Sequence, residues 1–131
     1  MGVKITVDGN GVHIHLSVLQ KVIAVQGDIR IPLGNIKLPV RVHPDECNQF
    51  FKGLKVGADI PGVFTAANYY HLDGTHDFYY FADASRTIGL DIINDPRRKV
   101  VIVQVEDGTS VEEVVNAISN AVQSSDDHKT N

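Results

Sequence analysis

The chain has 131 residues, 43% of them hydrophobic and 21% charged, with a formal net charge of −4 and a pI near 5.8. That length fits one domain able to bury enough surface to fold without a disulfide or a metal. The acidic balance argues against a general nucleic-acid binder, which needs a basic face to neutralise phosphates, and against a polybasic membrane-surface protein.

A single cysteine, Cys47, leaves no internal disulfide and suits a cytoplasmic, reducing environment. The opening stretch MGVKITVDGNGVHIHLSV holds no apolar run long enough for a signal peptide or a membrane span. Its Met-Gly start and Thr6 match a myristoylation pattern in letters, but Val3, Ile5 and Val7 alternate with Lys4, Thr6 and Asp8 as a half-buried strand does. The glycines of Asp8-Gly9-Asn10-Gly11 predict a turn, and Val12, Ile14 and Leu16 resume the alternation, so the chain opens with a hairpin.

Residues 16–27 are ambiguous. Val18, Leu19, Val22 and Ile23 fit helical spacing while their β-branching favours strand, which predicts a short helical piece and then a strand from about Val22. Asp28 to Pro32 reads as a strand, Leu33 to Ile36 as a tight turn, and Ile36 to His43 as a strand with Ile36, Leu38, Val40 and Val42 on one face. Pro39 removes a ladder donor and makes that strand an edge or a bulged one. Residues 44–62 read as a long connection broken by Gly53, Gly57 and Pro61-Gly62. A hairpin over 63–83, a strand over 86–93, a turn over 94–98 and a β-branched central strand over 99–105 follow.

The final element is an amphipathic helix. Ser110 and Glu113 form a capping box, and Val111, Val114, Val115, Ile118, Ala121 and Val122 make one apolar stripe. Past residue 124 the chain reads as a disordered polar tail, 125–131, so the domain is expected to span 1–124.

Three segments in this order, DIRIPLGNIKLPVRV, then IPGVF with a hairpin ending DFYYF, then KVVIVQVEDGTSVEEVVNAI, resemble the bacterial pleckstrin-homology-like domains over about residues 22–122. The resemblance implies a mainly β (α+β) fold: a bent antiparallel seven-stranded sheet or barrel capped by one C-terminal helix. It implies no reaction, cofactor or site residue. Basic residues surround the first hairpin turn in lipid-binding members; here that turn is acidic and short, which speaks against stable membrane binding.

The stretch YYHLDGTHDFYYF at 69–81 carries the candidate interaction surface: Tyr69, Tyr70, His71, His76, Tyr79 and Tyr80. A two-residue turn at Asp73-Gly74 sets His71 opposite His76, where two imidazoles could share a metal. A three-residue loop with Gly74 in a bulge sets His71 opposite Thr75. The sequence leaves this register open. A structural zinc site wants four ligands and no cysteine pair supplies them, so no metal or cofactor is expected. One face of the hairpin must be core and the other then exposes two or three rings.

His13 and His15 are expected on the outer face of their strand. His43, Asp45, Glu46 and Cys47 crowd one loop, but a cysteine hydrolase needs its histidine adjacent in space, and Cys47 reads as a small buried hydrophobe. Arg97, Arg98 and Lys99 are the one basic cluster and a weak candidate anion contact. No phosphate-binding glycine loop or hydrolase signature is present. The expected function is a cytoplasmic, non-enzymatic module that engages a protein partner or itself as a homo-oligomer. The alternative is a small-molecule or enzymatic site near loop 44–62, formed if His43, Cys47 and His71 or His76 converge.

Overall fold

The computed structural model describes residues 2–24, 26–44, 54–60 and 63–129, with side chains as far as Ser125. The fold is mainly β with a C-terminal helix, as the sequence pattern predicts, but among the described residues it holds nine strands rather than seven, in two sheets that do not close. The seven-stranded barrel of the family resemblance is therefore corrected. So is the purely antiparallel arrangement, because one strand pair is parallel.

The first sheet has three strands in the order β1 (Lys4–Asp8), β2 (Gly11–His15) and β3 (Ile29–Ile31). Asp8 pairs with Gly11, so the turn holds two residues, and the Asp8 Oδ1 accepts the Asn10 amide at 2.7 Å. Val12, Ile14, Ile29 and Ile31 are buried, while His13 and His15 stack on the outer side with ring centroids 6.1 Å apart, as expected. Between β2 and β3 the chain forms a helix, α1 (Val18–Ala24). The strand expected from Val22 is absent, because Ser17 and Gln20 cap a helical turn there, each side chain accepting the other's backbone amide.

The second sheet runs β4 (Ile36–Val42), β8 (Thr87–Ile92), β9 (Arg98–Gln104), β7 (His76–Phe81), β6 (Phe64–Tyr70) and β5 (Leu54–Ile60). β4 is an edge strand whose register shifts between Lys37 and Arg41, around Pro39, as the missing ladder donor requires. β5 lies inside what the sequence reads as a long connection. Gly57 does not break it: at φ 129° and against the Ala66 carbonyl, with no room for a Cβ, it is the residue that lets β5 lie flush on β6. β9 is central, between antiparallel β8 and parallel β7, which explains its unbroken β-branched run.

The main core lies between the two sheets and is closed by the last helix, α2 (Val111–Lys129). Ser110 Oγ accepts the Glu113 amide at 3.3 Å, and Val114, Ile118 and Val122 are buried against the core. α2 continues to Lys129, past the end that the apolar stripe predicts, so part of the expected polar tail is helical. A parallel bridge between Val3 and Val105 ties the two sheets together. No helix among the described residues is long and apolar enough to cross a membrane.

Candidate interaction surface

The loop joining β6 and β7 decides what the hairpin can do. Tyr70 pairs with His76, the His71 amide donates to the Thr75 carbonyl at 2.8 Å, and the Gly74 amide donates to the His71 carbonyl at 3.1 Å. Gly74 sits at φ 87°. The loop is therefore Leu72-Asp73-Gly74 with glycine in the left-handed position, the second of the two registers open to the sequence. Asp73 closes it by accepting the Thr75 amide and hydroxyl at 2.9 and 2.6 Å.

This register sends the two histidines to opposite faces. His71 Nε2 lies 2.9 Å from Asp77 Oδ2 on one face, while His76 packs its ring 5.1 Å from that of Tyr70 on the other. They cannot share a metal, and no group of three His, Cys, Asp or Glu side chains among the described residues could hold one.

Both faces of β6 and β7 are buried. Phe78 and Tyr80 enter the main core, and Tyr69, Tyr79 and Phe81 form a second cluster with Ala67 and Ile102. The expectation that one face exposes two or three rings is corrected: Tyr69, Tyr79 and Tyr80 are almost fully buried, and only Tyr70, His71 and His76 of the six candidates remain accessible. The sequence alternates aromatic residues on both sides, and strand residues on both sides are covered here.

The second cluster carries a polar seam. Tyr69 and Tyr79 meet edge to face at 5.2 Å, the Tyr69 hydroxyl donates to Asp59 Oδ2 at 2.6 Å, and the Tyr79 hydroxyl donates to Asp77 Oδ2 at 3.3 Å. Burial and then the Asp59 carboxylate push the Tyr69 phenol pKa up, holding it as a neutral donor. These contacts tie β5 to β6 and brace the hairpin.

The remaining site candidates scatter. His43 follows β4, its amide bonded to the Thr87 carbonyl, at the end of the sheet where Thr87 pairs with Gln104. His76 sits at the other end, paired with Arg98. The length of β9 separates them, about 20 Å at the rise of a strand. Cys47 and most of loop 44–62 lie outside the described residues, and the described histidines of that alternative do not converge. Arg97 and Lys99 are exposed and Arg98 is half-buried; Lys99 lies 3.7 Å from Asp73.

The sheet edges differ in their protection. β4 carries Lys37, Pro39, Arg41 and a register shift, and α2 packs on it. β5 pairs with β6 on one side and with no strand on the other among the described residues. Its Leu54 and Ile60 are 69% and 49% exposed. α1 covers the same face, with Gln26 accepting from the Asn68 amide at 3.1 Å, and it shows Val18, Leu19 and Val22 to solvent. The sequence reading, centred on aromatic residues, missed this edge because glycine and alanine dilute its strand pattern. Comparison with models of known families, with curated proteins and with solved structures finds no match.

Proposed function

We propose that the chain is a non-enzymatic interaction module, which associates with a second copy of itself by antiparallel pairing of β5 with β5. The observation that carries this reading is the self-complementarity of the edge. When two β5 strands pair antiparallel about Gly57, Leu54 stands opposite Ile60, Val56 opposite Ala58 and Lys55 opposite Asp59, and the two-fold axis repeats each pair. Apolar residues then meet on one face and opposite charges on the other. Cross-strand pairs of this kind contribute about 0.2–1 kcal/mol each. The interface is isologous, joins two six-stranded sheets into one, and covers an edge that no strand pairs with among the described residues.

Sedimentation velocity over a range of concentrations tests this. The wild type should be a dimer at micromolar concentration. Lys55→Asp sets acidic side chains opposite one another at both pairs and should give a folded monomer. A wild type that stays monomeric at high micromolar concentration would overturn the self-association, and a dimer unaffected by Lys55→Asp would overturn the register.

A further inference from the structure

The row Tyr70, His76 and Arg98 crosses three neighbouring strands on one rung, because Tyr70 pairs with His76 and His76 with Arg98. Tyr70 and His76 share a face, their rings 5.1 Å apart. The β7–β9 register shifts just past His76, and Arg98 stands close enough for its charge to act on His76 and for Tyr70 to act on it, so a phenol, an imidazole and a guanidinium gather at one end of the sheet. Tyr70 is 38% exposed, and His76 and Arg98 are half-buried, so the row is open to solvent at the tip of the sheet.

The charge of Arg98 is under-compensated. Its Nε is buried and has no hydrogen-bond partner among the described residues, and no carboxylate among them lies within ion-pair distance. The nearest acid, Asp95, spends Oδ1 on the backbone amides of Arg97 and Arg98, at 2.8 and 3.2 Å. A half-buried cation without a paired anion costs free energy that a bound anion would offset. Arg97 adds a second guanidinium on the adjoining turn.

We propose that Tyr70, His76 and Arg98 form a binding site for a phosphoryl group. A guanidinium, an imidazolium and a phenol offer two positive charges and several donors to one tetrahedral dianion, which suits phosphate better than a planar carboxylate. Without a ligand, burial and then Arg98 lower the His76 pKa, while Asp77 and Asp95 oppose them and His71 adds to them; Tyr70 faces the same row from β6. A dianion placed between His76 and Arg98 reverses the local field, so binding draws a proton onto His76 and tightens as pH falls toward the imidazole range.

The test follows the His76 ring resonances by NMR, assigned with His76→Gln, during titration with inorganic phosphate, with acetate, and with chloride at matched ionic strength. Phosphate at millimolar concentration should shift the His76 titration upward and saturate. Arg98→Gln should weaken binding by about tenfold or more, and Tyr70→Phe, which keeps the ring, by about fivefold. Lys55→Asp should bind phosphate as the wild type does, which separates this site from the β5 pairing. A response to phosphate no larger than to chloride would overturn the site as screening only. An equal response to acetate would overturn the phosphoryl assignment. If Arg98→Gln fails to fold, Tyr70→Phe decides: unchanged affinity there would sink the proposal.

Discussion

The Nε2 atom of His71 sits 2.9 Å from Asp77 Oδ2, a hydrogen bond that spans the three-residue loop and commits His71 to the face opposite His76. Asp77 is 6% exposed and its other oxygen has no hydrogen-bond partner among the described residues. The contact turns a pair of histidines that the letters place together into two groups with separate surroundings.

The first prediction concerns metals. Because the two rings face apart, thermal unfolding should be the same with and without a chelator, in the wild type and in His71→Ala with His76→Ala. A chelator-sensitive wild type that loses its sensitivity in the double variant would contradict the geometry.

The second concerns pH. Burial, then Arg98, holds the folded pKa of His76 below its ordinary value of 6.5. As pH falls through 6.5, the unfolded chain takes the proton first, so the stability His76 contributes is present above that value and declines until the folded pKa is passed. Between pH 7 and 5 the wild type should therefore lose more stability than His76→Gln. Urea unfolding of both at each pH measures the difference, and parallel profiles would show that His76 is not under strain from its neighbours.

The third separates the two faces of the hairpin. Tyr80 is 2% exposed, so Tyr80→Lys buries an unpaired ammonium and should cost several kcal/mol, enough to unfold a marginally stable domain. Tyr70→Lys, at an accessible position, should fold with a near-wild-type melting temperature. Circular dichroism melts of the two decide it; equal losses would mean that Tyr70 is core.

The fourth concerns the last helix. Ile118 is fully buried in the middle of the α2 stripe. Ile118→Asp should destabilise by about 3–5 kcal/mol or abolish folding. An unchanged melting temperature would show that α2 is not needed to close the core.

Legibility from the letters depended on how much of each signal was local. The first hairpin was readable because Val12, Ile14 and Leu16 alternate beside a glycine turn, and α2 because Ser110 and a regular stripe announce it. α1 was half readable: the helical spacing of Val18, Leu19 and Val22 gave its start, but not its continuation to Ala24 in place of a strand, and these apolar residues are exposed, which separates pattern from burial. β5 was missed because Gly57 reads as a breaker, and its role is visible only against Ala66 of the neighbouring strand. Within the candidate surface, Tyr70, His71 and His76 were found, but the row that adds Arg98 depends on the pairing of β7 with β9, strands well apart in the chain. The burial of Tyr69, Tyr79 and Tyr80 depends likewise on what lies across the sheet.

The place of β9 has a consequence for synthesis. β9 bridges the β4–β8 pair and the β5–β6–β7 group, and no other strand among the described residues joins them. A growing chain that has emerged only as far as the turn before Arg98 holds two sheet fragments whose inner margins, at β7 and β8, both await the same missing strand. The six-stranded sheet cannot be completed by adding strands in order. It must admit a late one between two that precede it, so final assembly waits until nearly the whole domain has left the ribosome, and the margins of β7 and β8 stay open to wrong pairings until then.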